Sequence, residues 1–410
     1  MKNIKIMSRL IVRNIGPIKE VDIDLKKINV IIGAQSSGKS TLAKIISFCT
    51  WVDKHTETTT QKYVNGAIRS LMSYHRLTKE YFSEDSTVFY QGDNIVYVYN
   101  WPKGEALPEI VKAYESPLHL NDKEIFFEKK GRVSNPKVLY IPAERNFVSA
   151  VHNLRKYQED KDNLQEFVNT WFEVKRKFPR DKALDVLNLG FQFYYQESNY
   201  QDYVIIEDGK KKIPLESSSS GLQSIIPLLV LVKWMSEGIY AEEKPFSPAE
   251  NEEMDKLLNG SEKQTPSTKE LFDRFLGFLS GRIYTHTQFI IEEPEQNLFP
   301  ETQCELMYHI LASVNHGKNH RLVMTTHSPY ILYALNNCMS GYSVSGKLPD
   351  KIKATMKSAA SFINPDDVNT WQIRDGKLES IKKGDRIGEH YFNDIMNSIL
   401  DDFYKIQAYK

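Results

Sequence analysis

Cysteine is scarce in this 410-residue chain: Cys49, Cys304 and Cys338 stand far apart and form no CxxC pair. So sparse and odd a set speaks against a disulfide framework or a zinc site and fits a reducing compartment. Net charge is lacking too, since Lys plus Arg and Asp plus Glu each number 53. With no global field, nothing draws the whole chain to nucleic acid or an anionic membrane, although a local basic patch stays open. No apolar run approaches the about 18 residues of a membrane span; the longest, Ile225 to Trp234, falls well short. Met1 to Val12 has lysines but no apolar stretch for a signal peptide. Internal repeats and sustained heptads are absent. What remains is a chain of ordinary globular composition, expected in the cytoplasm, long enough for one large domain with insertions or for two lobes.

Ile4 to Val12 reads as a strand, and Val21, Ile23 and Leu25 alternate as a second after the turn Asn14-Ile15-Gly16-Pro17. Ile28 to Ile32 is a β-branched apolar run ending in glycine, the pattern of a buried central strand. Leu42, Ile45, Ile46 and Cys49 then fall at helical spacing. Residues 51–137 read as an insertion decorating this core, with a helical part at Tyr63 to Phe82 and short strands at Thr87 to Tyr90 and Ile95 to Tyr99. Val138 to Ile141 is a core strand stopped by Pro142, and Phe147 to Lys177 carries an amphipathic helical stripe. A hairpin is expected at Tyr203 to Ile206 and Ile213 to Leu215, turned by Asp208-Gly209, followed by an apolar helix from Leu222 to Met235. Residues 241–267 are polar and proline-containing, the signature of an exposed insertion. Strand Gln288 to Ile291, helix Glu301 to Val314, strand Arg321 to Thr326, a strand pair in Val368 to Ile381 and a closing helix at Ile387 to Ile406 complete the reading.

Four segments carry chemistry. Gly33-Ala34-Gln35-Ser36-Ser37-Gly38-Lys39-Ser40-Thr41 fits GxxxxGK[ST] between a strand and a helix. Its glycines let backbone N–H groups curl around a β-phosphate, and the helix dipole favours the anion. Lys39 is placed for the β- and γ-phosphates and Ser40 for Mg²⁺. Second, the apolar strand ending in Glu292-Glu293-Pro294-Glu295 puts one carboxylate toward a metal and one toward a water. Read alone it is equally a solvated strand edge. Third, Ser217 to Gln223 puts a serine–glycine turn before an apolar helix, which serves either as a plain N-cap or as donors to an anion. Fourth, His327 ends a strand, where it is either structural or a contact to the γ-phosphate and attacking water. The runs Lys175-Arg176-Lys177 and Lys210-Lys211-Lys212 read as solvated charge.

In order and content these segments resemble the ABC-type P-loop ATPases, and within them the SMC-like and OLD-like branch. The resemblance spans almost the whole chain and is weakest at 51–137 and 241–267. It makes Gly33 to Thr41 the Walker A loop and Phe289 to Glu293 the Walker B strand with Glu293 as general base. Ser219-Ser220-Gly221, with Gln223, stands where the family's signature lies. Glu295 to Leu298 corresponds to the D-loop, His327 to the switch histidine, and Arg13-Asn14 to an N-terminal nucleotide contact. Val138 to Asn146, ending Ile-Pro-Ala-Glu-Arg-Asn, resembles the segment in the Q-loop role. Glu292 replaces the usual metal-binding aspartate, and Ser220 replaces the first signature glycine.

The implied fold is α/β: a central mixed sheet flanked by helices, an N-terminal antiparallel part, and a helical lobe over 147–240 bearing the signature. The Walker B, D-loop and switch region covers 288–340, and the closing strands and helix cover 368–410, all within one ATPase domain. The implied cofactors are ATP and Mg²⁺, and the implied partner is a second copy, ATP lying between one Walker A and the other's signature. No stretch is long enough for the arms of long SMC proteins, and no acidic triad after His327 marks an appended nuclease. The compact form resembles ATPases that serve as sensors in bacterial anti-phage modules, holding an effector such as a nuclease. The alternative is a RecF-like DNA repair or recombination ATPase that binds DNA; a nucleotide-binding scaffold is a third reading, against which Lys39, Glu293 and His327 stand.

Overall fold

The computed structural model describes residues 8–54, 66–114, 117–129, 134–151, 162–206, 211–242 and 283–409. The described chain enters through an antiparallel pair, β1 (Ser8–Ile15) and β2 (Ile18–Leu25). β3 (Ile28–Gly33) follows and is buried along its whole length. The helix Lys39–Lys54 begins directly after the loop. Four strands then extend the sheet outward from β1 in antiparallel pairing: β4 (Phe82–Gln91), β5 (Ile95–Tyr99), β6 (Leu118–Asn121) and β7 (Glu124–Glu128). This corrects the reading of 51–137 as a decoration, because the segment supplies four of the twelve strands of one sheet. Pairings such as Leu10 with Tyr90 join residues far apart in sequence, and no local pattern announces them.

β8 (Pro136–Ile141) returns to the centre, after which the chain builds a lobe. A helix at Asn163–Val174 starts at Asp162, whose side chain accepts the Gln165 N–H. A separate antiparallel sheet follows, made of β9 (Leu184–Asp185), β10 (Phe191–Gln196), β11 (Gln201–Ile206) and β12 (Lys212–Pro214). The lobe is therefore mixed and not helical. The expected hairpin exists as β11 and β12, but β10 was hidden in an aromatic run whose neighbours are polar. The turn Asp208-Gly209, Lys210 and nearly all of 241–267 lie outside the described residues.

The next helix, Ser220–Lys233, runs on through a π-helical turn at Trp234–Gly238 to Ala241. At 22 residues it is longer than its expected end at Met235, and by length and composition it is able to cross a membrane. With 61% of its apolar window buried inside the protein, it serves here as a core helix, packed on Asn163–Val174 and on the later helix Pro300–Asn315.

β13 (His286–Glu292), β14 (Arg321–Thr326), β15 (Val368–Arg374) and β16 (Lys377–Ser380) complete the large sheet. Its order is β6-β7-β5-β4-β1-β2-β16-β15-β3-β14-β13-β8, and β15, β3, β14, β13 and β8 are mutually parallel. Side chains alternate between two faces. Ile31, Tyr140, Ile290 and Val323 pack with the Lys39–Lys54 helix, whereas Val30, Leu139, Phe289, Ile291 and Met324 pack with the lobe and C-terminal helices. The result is helices on both faces of a mixed sheet, the α/β architecture the resemblance implied. Because β3, β8, β13 and β14 run parallel, their carboxyl ends share one edge, where ligands of open α/β sheets bind. A helix at Pro329–Val344 and a last one at Tyr391–Gln407 close the chain, the latter starting four residues later than expected.

Candidate active site

At the end of β3 the loop turns through Ser36 (φ 59) and Gly38 (φ 104), left-handed conformations that glycine reaches most easily. A side chain at Gly38 would lie 3.0 Å from Ile18, so the loop is seated against the first turn of the chain. At Gly33 a Cβ would meet the Ser37 hydroxyl at 2.7 Å and the Ile373 carbonyl at 3.0 Å. Lys39 is buried, and its ammonium donates to the carbonyls of Gly33 (3.0 Å) and Ala34 (2.7 Å). Burial lowers its pKa, opposed by Glu293, Glu295 and Glu292. Ala34, Gln35 and Ser36 are exposed, Thr41 is buried, and the Ser37 hydroxyl is buried with no partner. A loop with glycine at both ends, an orphaned hydroxyl and an ammonium bonded to carbonyls fit a phosphate group.

Glu292 ends β13 on the same face as Ile290, the face that carries the loop's helix. There its Oε1 accepts the Tyr140 hydroxyl at 2.7 Å, and Ser40 also bonds to it. Burial raises its pKa, countered by Tyr140, Lys44 and Ser40. Glu292 and Ser40 so meet at one point and fit a divalent cation beside the phosphate cradle. Among the described residues no group of three His, Cys, Asp or Glu side chains is able to hold a metal. Ser40, Glu292 and the substrate's own phosphates would therefore be its ligands.

Glu293 is different in every respect. Its φ is 43, a conformation costing a non-glycine residue roughly 1–2 kcal/mol. The turn is pinned by the Glu293 N–H donating to the Thr325 carbonyl at 2.9 Å. The side chain is half-buried, with Oε1 3.4 Å from His327 Nε2 and Oε2 accepting the Gln296 amide at 2.8 Å. His327 is the main cause that lowers the Glu293 pKa to about 2. Glu295 in turn fixes the histidine, its Oε1 accepting the His327 N–H at 2.5 Å. Burial raises the Glu295 pKa against that bond. Two adjacent glutamates pushed in opposite directions by their surroundings are the mark of carboxylates with different tasks.

The remaining candidates are placed less uniformly. Ser219 caps the Ser220–Lys233 helix, accepting the Leu222 N–H at 3.4 Å, so its ordinary capping role is realised. Ser219 and Ser220 are exposed, while a Cβ on Gly221 would lie 3.0 Å from the Asn297 carbonyl. Gln223 turns its amide back onto the carbonyls of Glu216 (2.9 Å) and Ser218 (3.1 Å), bracing the turn. The Asn14 turn lies beside the phosphate loop, but Arg13 points elsewhere. Its guanidinium pairs with Glu105 at 2.9 and 3.1 Å and lies over Trp101.

One buried charge had no role assigned from the sequence. Arg145 is fully buried and donates all five of its N–H bonds to backbone carbonyls. Nε reaches Ser224 (3.1 Å); Nη1 reaches Glu292 (3.0 Å) and Pro142 (3.4 Å); Nη2 reaches Glu293 and Pro294 (3.0 Å each). Burial lowers its pKa to about 10, opposed by Glu295, Glu293 and Glu144. The only sequence cue was its place in the Ile-Pro-Ala-Glu-Arg-Asn segment.

Phosphate loop, carboxylates and histidine gather at the carboxyl ends of the sheet's parallel strands, an arrangement that fits a nucleoside triphosphate. Residues 6–182 match the family model of the AAA ATPase domain, a span that holds the phosphate loop and Arg145 and ends before Glu292 and His327. No curated protein matches the chain. Solved structures similar to it include the SMC head domain from Thermotoga maritima, 9% identical over 92% of this chain and 98% of that one, with TM-score 0.38. An Smc head domain with an extended coiled coil, derived from Pyrococcus furiosus and bound to the C-terminal domain of ScpA, is 11% identical over 97% and 100%, with TM-score 0.35. A dimeric ATP-binding cassette in a post-hydrolysis state with ADP and Pi is 11% identical over 91% and 99%, with TM-score 0.30. At such values the likeness carries no argument about partners or mechanism.

Proposed function

We propose that the protein hydrolyses ATP between two copies of itself and acts in the cytoplasm as the regulatory subunit of a bacterial anti-phage module. The observation carrying the chemistry is the Glu293–His327 pair, 3.4 Å apart beside the Lys39 cradle. In this reading the loop from Gly33 to Thr41 binds the phosphates, with Lys39 released from its own carbonyls to meet the β- and γ-phosphates. Ser40 and Glu292 would hold Mg²⁺, which neutralises phosphate charge when bound. Glu293, already ionised, accepts a proton from water as the water oxygen attacks the γ-phosphorus. His327 orients that carboxylate, and ADP leaves with the bridging oxygen. Ser219 and Ser220 stand exposed, available to a second subunit's nucleotide. That supports the sandwich, whereas the internal bonds of Gln223 and Arg13 remove them from direct contact.

A protein partner is supported by the Tyr391–Gln407 helix, where Ile395, Met396, Ile399, Leu400, Phe403, Tyr404 and Ile406 are exposed. Contiguous exposed apolar surface of this kind marks interaction sites. The neutral net charge favours such a partner, an effector such as a nuclease, over DNA.

The Glu293→Gln variant tests both halves. With ATP and Mg²⁺ it is expected to sediment as a dimer while releasing phosphate roughly 10²–10⁴-fold more slowly than wild type. A variant that stays monomeric at saturating ATP contradicts the sandwich. Co-purification of an effector in only one nucleotide state is the expected signature of the regulatory role; recovery of DNA and no protein counts against it.

A further inference from the structure

Arg145 joins segments that the chain keeps far apart. Pro142 belongs to the end of β8, Ser224 to the helix that starts at the serine–glycine turn, and Glu292 to Pro294 to the glutamate turn. One planar guanidinium reaches all three, and none of its donors is left over. The carbonyls it holds are themselves unusual. Glu293 has its backbone in the left-handed region, and Pro294 follows it. Pro227 lies within the Ser220–Lys233 helix and has no N–H for the Gln223 carbonyl, one residue before the Ser224 carbonyl that Arg145 holds. A side chain that served packing alone would not need five donors in this spread, and an apolar residue would leave five carbonyls to find other partners.

We propose that Arg145 is a positioning residue that ties the Glu293 turn to the Ser219–Gly221 helix, so that a nucleotide felt at one is transmitted to the other. Arg145 touches neither ATP nor the attacking water in this reading. It sets where Glu293 stands and how the exposed Ser219 is presented to a second subunit. The proposal rests on the functional reading above, in which Glu293 serves the water and Ser219 the partner's nucleotide. Lysine cannot replace arginine here, because a single ammonium offers three donors from one point and not a planar fork.

The test compares wild type, Arg145→Lys and Arg145→Ala, each alone and combined with Glu293→Gln. The expected result for Arg145→Lys is ATP affinity within a few-fold of wild type and kcat lowered by roughly 100-fold, the cost of slight misplacement. In the Glu293→Gln background it is expected to abolish ATP-driven dimerisation. Per-subunit kcat and dimerisation unchanged, after correction for nucleotide-binding-competent protein, would show a purely structural residue and overturn the proposal. If Glu293→Gln alone fails to dimerise, the sandwich reading fails first, and the two failures are thereby distinguished. Should the Arg145 variants not fold, hydrogen exchange on the wild type decides. Adding ATP and Mg²⁺ is expected to protect amides of 222–226 and 293–296 together, and protection of one segment without the other overturns the coupling.

Discussion

Glu292 and Glu293 are the same side chain one peptide apart, and the fold gives them opposite acid strengths. The strand's two-residue period sends Glu292 onto the face covered by the Lys39–Lys54 helix, into burial beside Tyr140. The left-handed turn sends Glu293 outward to His327. The adjacent pair at the strand's end was legible in the sequence because a strand followed by two carboxylates and proline is a local pattern. Arg145 was not legible as a clamp, since its acceptors lie 3, 79 and 147 to 149 residues away. Gln223 was legible only as polar; that its amide turns inward depends on two carbonyls no pattern predicts. Burial also sets a testable property at His75, which is fully buried with neither ring nitrogen bonded. Burial lowers its pKa to about 3. The unfolded chain therefore binds a proton near pH 6.5 that the folded chain refuses. Stability from this group is complete above pH 6.5 and falls by roughly 1.4 kcal/mol per pH unit below it, down to about pH 3. His75→Phe, set likewise against the rings of Tyr74 (edge-on) and Tyr140 (tilted), is expected to gain on wild type as pH drops from 7 to 5 in urea titrations. A stability difference that does not change with pH contradicts this.

Among the elements, those with a strong local period were found within a few residues: β3, the loop's helix, β13, β14 and the Pro300–Asn315 helix. β9 and β10 were missed, and so was the Pro329–Val344 helix. That helix has a low apolar contrast around its circumference because both its faces are partly covered. It crosses Phe362 at Gly341, where a Cβ would stand 2.1 Å from the ring. Alanine is ordinarily the better helix former by about 1 kcal/mol. At this position crowding wins, and Gly341→Ala is expected to lower stability by about 1–3 kcal/mol in thermal or denaturant unfolding. A variant as stable as wild type would show that Phe362 moves aside freely.

For the whole molecule, the α/β class was legible from the alternation of strands and helices, but strand order was not. β3 lies between β14 and β15, strands that enter about 290 and 340 residues later. That order places the phosphate loop, Glu293 and His327 on one edge, whereas the serine–glycine turn is carried on the lobe's helix and capped by Ser219. In the proposed sandwich such a site is completed from a second copy, and that proposal is tested most directly by mixing two inactive variants. Lys39→Ala removes the phosphate lysine, and Ser219→Arg blocks the exposed turn; each is expected to release phosphate at background rate. Mixed in equal amounts, they form heterodimers in which the intact loop of one subunit faces the intact turn of the other. The account predicts that ATPase activity returns on mixing, to a fraction of the wild-type rate that rises with total concentration. Activity that stays at background in the mixture, or Ser219→Arg alone hydrolysing at the wild-type rate, would contradict it.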